Sequence, residues 1–180
     1  DFSAAVQSMV DSGCTSAVLV SYAADGGMII DEMAAQGWSG QVYGGDGIAE
    51  EGLATDATSS VDGIIATKPA SASTGEVGYV FAALCAQSPD CAGGIYTAEA
   101  FDGIVLVALA AFAQLASPGA TLSQVIMATG QGLAGASGDI SFMANGDVPG
   151  AGYCVGDFTE DADGVSFDCN RSWDPANGMS

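Results

Sequence analysis

Helical patterns alternate with short, continuously apolar runs along the first seventy residues, and this alternation leaves the chain few possible folds. Phe2, Val6, Met9 and Val10 recur at i, i+4, i+7 and i+8, which predicts a one-faced helix that Asp1 caps and Gly13 ends. "AVLVSY" follows without polar alternation, as expected of a parallel strand covered on both faces. Ile29, Ile30 and Met33 mark a second helix, closed by Gly37, and "GQVYGG" a second strand. Strand, helix and strand in this order make a βαβ unit, whose right-handed crossover builds a parallel sheet. The fold class is therefore α/β, with parallel sheets flanked by helices.

"VDGIIATKP" predicts a further strand stopped by Pro69, and the polar stretch "ASASTG" a hinge or crossing. The pattern then turns helical. Ser73 and Glu76 have capping-box spacing ahead of Val77, Val80, Phe81 and Leu84, and Thr97 caps a long helix through Phe101, Ile104, Val105, Ala108 and Phe112. Thr121 and Gln124 repeat the box. "DISFMANGDVPGAGYCVGDF" reads as strand, Asn-Gly turn and strand, and the tail "NRSWDPANGMS" as an extended surface segment. The most apolar run, "IVLVALAAFA" at 104 to 113, has about half the ~20 residues of a membrane span and is expected to be a buried helix. Met28 and Met33 are assigned to a core helix. No signal peptide is patterned, and the opening "DFSAAV" already lies inside a helix, as in a mature chain or a piece of a longer one.

Charge narrows the partners. Among 180 residues only Lys68 and Arg171 are basic, against 22 Asp plus Glu, for a net charge of -20. Nothing here neutralises a run of phosphates, so nucleic acid and anionic membranes are excluded. The acidity itself reads as a solubilising surface. With no His, Ser-His-Asp and Cys-His catalysis are impossible within the chain, and no metal site or cofactor is expected. "DFTEDADG" resembles half a calcium loop through Asp157, Glu160, Asp161 and Asp163, but Asp168 is a poor substitute for the closing Glu and a plain hairpin loop is the favoured reading.

Five cysteines leave one unpaired if the rest pair. Cys85 and Cys91 flank the turn-rich "AQSPD", while Cys154 and Cys169 face one another if "YCVGDF" and "VSFDC" fold into a hairpin about "TEDADG". Cys14 is then a buried free thiol. Two disulfides fit an oxidising compartment; five reduced cysteines in a cytoplasmic protein are the alternative.

In open α/β sheets ligands bind beyond the carboxyl ends of the strands. Tyr22 and Asp46 each fall just after an apolar run, so two adjacent parallel strands would present an aromatic face and a carboxylate to one crevice. The competing reading packs Tyr22 beneath a helix and leaves Asp46 to shape the glycine turn.

The succession "DFSAAVQSMVDSGCTSAVLVSY", "MAAQGWSGQVYGGDGIAEEGL", "YTAEAFDGIVLVALA" and "GDISFMANGDVPGAGYCVGDF" resembles the C-terminal half of the branched-chain amino acid binding proteins of ABC transporters, across about residues 1 to 158. "F-x-x-N-G-D" before a glycine-bounded "Y-x-V" strand, and "YGGDGI", carry the likeness. It implies a periplasmic receptor with two lobes and a ligand between them. Residues 1–68 then correspond to part of the second lobe, 69–147 to the returning part of the first, 148–170 to the last strands of the second, and 171–180 to a tail. The resemblance implies that Asp46 grips the α-ammonium of an amino acid, that Tyr22 flanks it, and that Phe101 lies near the aromatic supplied by the first lobe. Family members are nearly twice this length, and their carboxylate-clamping Ser and Thr lie in the part that has no match here. A missing N-terminal segment or a second chain must therefore complete the lobes, and a membrane permease would receive the ligand. A ligand-sensing domain of the same fold, an enzyme using paired carboxylates and a structural or calcium-binding fragment are the rival readings.

Overall fold

The computed structural model describes residues 1–70, 75–88, 91, 95–150, 152–162, 164–174 and 176–180. They form two compact units, Asp1–Pro69 with Gly152–Ser180, and Ala70–Ala151.

The first unit opens with α1 (Ser3–Asp11), β1 (Ser16–Leu19), α2 (Ala23–Ala35) and β2 (Gln41–Gly44). A 3-10 turn (Asp46–Ile48), α3 (Gly52–Asp56) and β3 (Ile65–Pro69) follow. The Asp1 carboxylate accepts the Ser3 amide at 3.0 Å, with Phe2 at the cap position itself. Gly13 and Gly37 end the first two helices with φ of 73° and 74°, backbone that a β-carbon disfavours. β1, β2 and β3 are parallel neighbours, as the βαβ pattern requires.

β6 (Tyr153–Asp161), β7 (Gly164–Asp174) and β8 (Gly178–Met179) extend this sheet antiparallel, in the order β1-β2-β3-β6-β7-β8. The tail is extended and largely exposed, as expected, and it is also paired into the sheet. β7 runs on through Arg171 to Asp174, and Ser172 and Ser180 exchange backbone hydrogen bonds at 3.0 and 2.8 Å. The cores of β6 and β7 are legible in "YCVGDF" and "VSFDC", whereas the end of β7 and β8 show no polar alternation in the sequence. Cys154 and Cys169 are bonded, with Cα atoms 5.5 Å apart, yet they are not directly opposed: an irregularity between Val155 and Gly156 sets Gly156 across from Cys169 and Ser172 across from Cys154.

Leu19, Val42, Ala66 and Phe158 join residues of all three helices, Val6, Ile30 and Leu53 among them, in one buried core. Only this face of the parallel strands is covered. Val18 and Tyr43, paired in register on the other face, are 76% and 42% exposed, so the expectation that β1 is covered on both faces fails. Cys14 is likewise exposed and not buried, because it lies on the surface turn between α1 and β1, its Sγ 3.0 Å from Ser12 Oγ. Met33 belongs to the core, but Met28 is 52% exposed.

The second unit contains α4 (Glu76–Cys85), α5 (Thr97–Ala116), α6 (Leu122–Thr129) and a small ladder of β4 (Leu133–Ala134) with β5 (Asp139–Ile140). Thr121 and Gln124 complete the expected capping box in both directions. Gly75 caps α4; Ser73 lies outside the described residues, as does most of the "ASASTG" crossing. Tyr96, not Thr97, stands at the cap of α5. Cys85 and Cys91 are bonded, with a Cα separation of 5.2 Å. The Asn145-Gly146 turn forms, Met143 donating to the Asp147 carbonyl at 2.7 Å, but it does not join a hairpin: β5 pairs back onto β4, and β6 inserts between β3 and β7.

The apolar run at 104 to 113 is helical, but it is not buried. α5 turns Asp102, Leu106 and Ala110 inward and leaves Ile104, Phe112 and Leu115 73%, 75% and 80% exposed. Over its 20 residues α5 is long and apolar enough to cross a membrane by length and composition, with mean hydropathy 1.7. The period in the sequence reports two apolar faces on this helix, of which the described residues occupy one.

Two tests follow from the packing. Phe158 is fully buried and touches the Phe167 ring at a centroid distance of 5.0 Å. Phe158→Ala should lower unfolding free energy by about 3–5 kcal/mol in urea titrations, and a loss below about 1 kcal/mol would contradict this core. Asp31 accepts the Ser59 amide at 2.7 Å, the Thr58 hydroxyl at 2.8 Å and the Thr58 amide at 2.9 Å, tying α2 to the segment after α3. Desolvation pushes its pKa up, but the Thr58 and Ser59 donors outweigh this and hold it at about 2, below the ordinary 3.8. The folded state therefore binds this proton more weakly than the unfolded one, so the stabilisation is complete above pH 3.8 and disappears as pH falls through about 2. The urea midpoint of Asp31→Asn should lack that part of the acid dependence; identical pH profiles for the two proteins would remove the effect.

Candidate functional site

Tyr22 and Asp46 are placed by the ends of two strands. β1 and β2 pair in parallel with Leu19 beside Gly44, so the residues that follow emerge at one edge of the sheet. Tyr22 stands at the amino end of α2 in extended backbone, and Asp46 opens the 3-10 turn after Gly45. Two close approaches fix that turn. A β-carbon on Gly44 would stand 2.1 Å from Ile48 Cδ1, so the missing side chain lets Ile48 fold down onto β2, where it is fully buried. A β-carbon on Gly47 would stand 2.4 Å from the Ser21 carbonyl oxygen and 3.4 Å from Tyr22 Cδ1. The backbone beside Asp46 thus lies against Ser21 and the Tyr22 ring.

Tyr22 is 80% exposed, which rules out the reading that packs it beneath a helix. Asp46 is half-buried, and its carbonyl accepts the Ala49 amide at 3.1 Å. An aromatic face and a carboxylate at one strand edge suit a small cation: the ring attracts it through its quadrupole and the carboxylate through charge-assisted hydrogen bonds.

Phe101 belongs to the other unit. It lies in the second turn of α5, 40% exposed, with its ring centroid 5.1 Å from that of Phe81. Its neighbour Asp102 is a residue that sequence reasoning missed. This carboxylate is 4% exposed and accepts the Ala136 amide at 2.6 Å, the Ser137 amide at 2.8 Å and the Ser137 hydroxyl at 2.6 Å. It locks the start of α5 to the loop between β4 and β5 and so fixes the backbone that carries Phe101. An acid inside an apolar helical period, with "GASG" downstream to supply free amides, was the available signal.

A cleft of about 330 Å³ opens at the opposite end of the sheet, before β2 and β3, lined by Trp38, Gln41, Ser59 and Asp62 among others. It contains none of the three candidate residues. Both basic side chains are occupied within the sheet: Arg171 Nη2 lies 2.6 Å from Asp157 Oδ1, and Lys68 Nζ lies 4.9 Å from the Phe167 ring centroid. Asp157, a member of the half calcium loop, is thus a strand residue engaged by Arg171. Among the described residues no group of three His, Cys, Asp or Glu side chains is placed to hold a metal ion.

No family model and no curated protein matches this sequence. Solved structures do. A leucine binding protein from Thermotoga maritima superposes with a TM-score of 0.75 at 18% identity, over 98% of this chain and 49% of its own. A branched-chain amino acid transporter substrate binding protein from Streptococcus pneumoniae, in complex with isoleucine, gives 0.64 at 18% identity, over 93% and 48%. An ABC transporter solute binding protein from Rhodopseudomonas palustris, in complex with 3,4-dihydroxybenzoic acid, gives 0.64 at 17%, over 97% and 49%. The chain therefore has the α/β fold of periplasmic-binding-protein-like solute receptors, and it spans about half the length of the proteins it matches.

The close approach at Gly47 is directly testable. Gly47→Ala drives a β-carbon into the Ser21 carbonyl, so the turn must move, at a cost of about 1–3 kcal/mol in urea unfolding. An unchanged midpoint would mean that the Asp46 turn does not rest on Ser21.

Proposed function

We propose that this chain is part of an extracytoplasmic solute receptor of an ABC transporter, non-enzymatic, that captures an amino acid of branched-chain or similar type, or a small amide, and delivers it to a membrane permease. The observation that carries this reading is the placement of Tyr22 and Asp46 past the carboxyl ends of adjacent parallel strands. Asp46 receives the α-ammonium, Tyr22 flanks it, and Phe101 contributes from the other lobe. Two of the similar proteins are described by leucine and branched-chain amino acids, and a third holds a dihydroxybenzoic acid, which has no ammonium group. The carboxylate at 46 favours the amine class.

In this proposal residues 1–68 and 148–170 belong to the second lobe, 69–147 to the first, and 171–180 to a tail. Closure about the crossings near Pro69 and Asp147 traps the ligand. The carboxylate clamp comes from the unmatched half, so the pocket is complete only with that half in place. Two disulfides agree with an oxidising compartment outside the cytoplasm.

The test is calorimetric titration of the completed receptor against an amino-acid panel, followed by Asp46→Ala. Removing one partner of an enclosed ion pair costs about 3–5 kcal/mol, so affinity should fall by at least about a hundredfold while the melting temperature is held. An affinity unchanged by Asp46→Ala removes that residue from the site, and a panel without any binder removes the amino-acid assignment.

A further inference from the structure

We propose that the cleft between the end of α2 and the segment leading into β3 is a second small-molecule site, which takes a compact organic cation with an apolar body, of the alkylammonium class. This goes beyond the receptor reading and uses none of its candidate residues.

The cleft encloses about 330 Å³, within the ordinary range for small-ligand sites. Its floor is apolar. Ile30, Met33, Val42 and Ile64 line it, each a buried core side chain, so a hydrocarbon body set there leaves water for side-chain contact. The rim carries the two groups that favour a positive charge, the Trp38 indole and the Asp62 carboxylate. An indole attracts a cation through its quadrupole, and a carboxylate through charge-assisted hydrogen bonds. Asp62 Oδ1 accepts the Glu160 amide at 3.2 Å, and among the described residues no donor reaches Oδ2. Glu160 adds a second carboxylate beside the rim, its Oε2 accepting the Ser60 hydroxyl at 2.7 Å. No Lys or Arg lines the cleft, so its field draws in a cation and repels an anion.

The walls are fixed before any ligand arrives. Asp31 on α2 accepts the Thr58 and Ser59 amides, which fastens the segment before β3 to that helix. Across the cleft, Gln41 Nε2 donates to the Val42 and Gly63 carbonyls at 2.9 and 2.8 Å. Trp38 Nε1 donates to the Cys14 carbonyl at 2.8 Å, and its ring rests on Gly40, where a β-carbon would stand 2.4 Å from Cζ2. Binding therefore has little of the protein left to order, which favours even a small ligand. The cleft opens before β2 and β3, at the end of the sheet opposite Tyr22 and Asp46, so the two sites are separable by substitution.

The experiment titrates the protein at neutral pH with isopentylammonium, isopentanol and isovalerate, which share one branched alkyl skeleton and differ in charge. The readouts are the indole N–H resonance of Trp38, assigned with Trp38→Phe, and the methyl resonance of Met33. Isopentylammonium should move both saturably, with a dissociation constant of about 1 mM or below. Isopentanol should bind at least about fivefold more weakly, and isovalerate should move neither resonance. Asp62→Asn should weaken the cation at least about threefold and leave isopentanol as it was. Ala34→Leu, which places a larger side chain in the mouth of the cleft, should abolish both responses, whereas Asp46→Ala should leave the Trp38 response intact. A response that does not saturate, equal responses to the three probes, or a cation response that survives both Asp62→Asn and Ala34→Leu in folded proteins overturns the site. So does a response lost in Asp46→Ala, which would place the cation at the other end of the sheet.

Discussion

The antiparallel ladder between β3 and β6 is the joint on which the first unit depends. It pairs Ile65 through Pro69 with Asp157 through Tyr153, joining segments separated by more than eighty residues of chain. Gly63 donates to the Phe158 carbonyl and the Phe158 amide to Ile64, both at 2.9 Å, just where β3 begins. Through this joint Phe158 enters the core built by the first three strands and their helices, and the hairpin with its disulfide, its Arg171–Asp157 pair and its Lys68–Phe167 contact is fastened to the same sheet. Without it the parallel strands would have two open edges. A long excursion can be inserted between β3 and β6 because the cost of closing a loop grows only slowly with its length.

The candidate site inherits its order from that sheet. Neither Tyr22 nor Asp46 lies within a strand, so their placement rests on what pins the two short connections. Ile48 supplies that pin: it is fully buried, it folds onto Gly44, and it holds the turn that starts at Asp46. Gly47 then brings the turn against Ser21 and Tyr22. Gly44 and Gly47 of "YGGDGI" are therefore steric requirements of the turn, and the acidic side chain stands in a tight turn that the core itself anchors.

Much of this was legible in the sequence, for identifiable reasons. The apolar runs of β1 to β3 and the helix periods before and between them report local geometry, and parallel connectivity follows from their alternation. The capping box at Thr121 and both disulfides were legible because side-chain reach and spacing decide them. What failed was nonlocal. The Asn-Gly turn is real, but whether its flanks pair is decided elsewhere, by β4 and β3. The tail shows no periodicity because its order comes from pairing on an existing edge. Cys14 looks like a core residue by type, yet its turn faces outward. For the site, spacing located Tyr22 and Asp46 beyond their strands, whereas the acid at 102 in its apolar period signalled burial only in combination with the amides of "GASG" more than thirty residues downstream.

Burial was overestimated in the same sense at three places, β1, Met28 and α5, and the common cause is informative. An apolar residue in a sequence states that its surface prefers to leave water; it does not state which polypeptide covers it. In the first unit one face and one edge of β1 are uncovered, and in the second the Ile104, Phe112 and Leu115 stripe of α5 is uncovered. Each gathers more than one exposed large apolar side chain, and grouped apolar surface on a folded protein marks contact with something else. The 22 acidic residues do not hide those faces, and their long-range repulsion opposes self-association. High negative charge and uncovered apolar faces are therefore compatible properties of one molecule: the first governs what stays away and the second what is allowed to close.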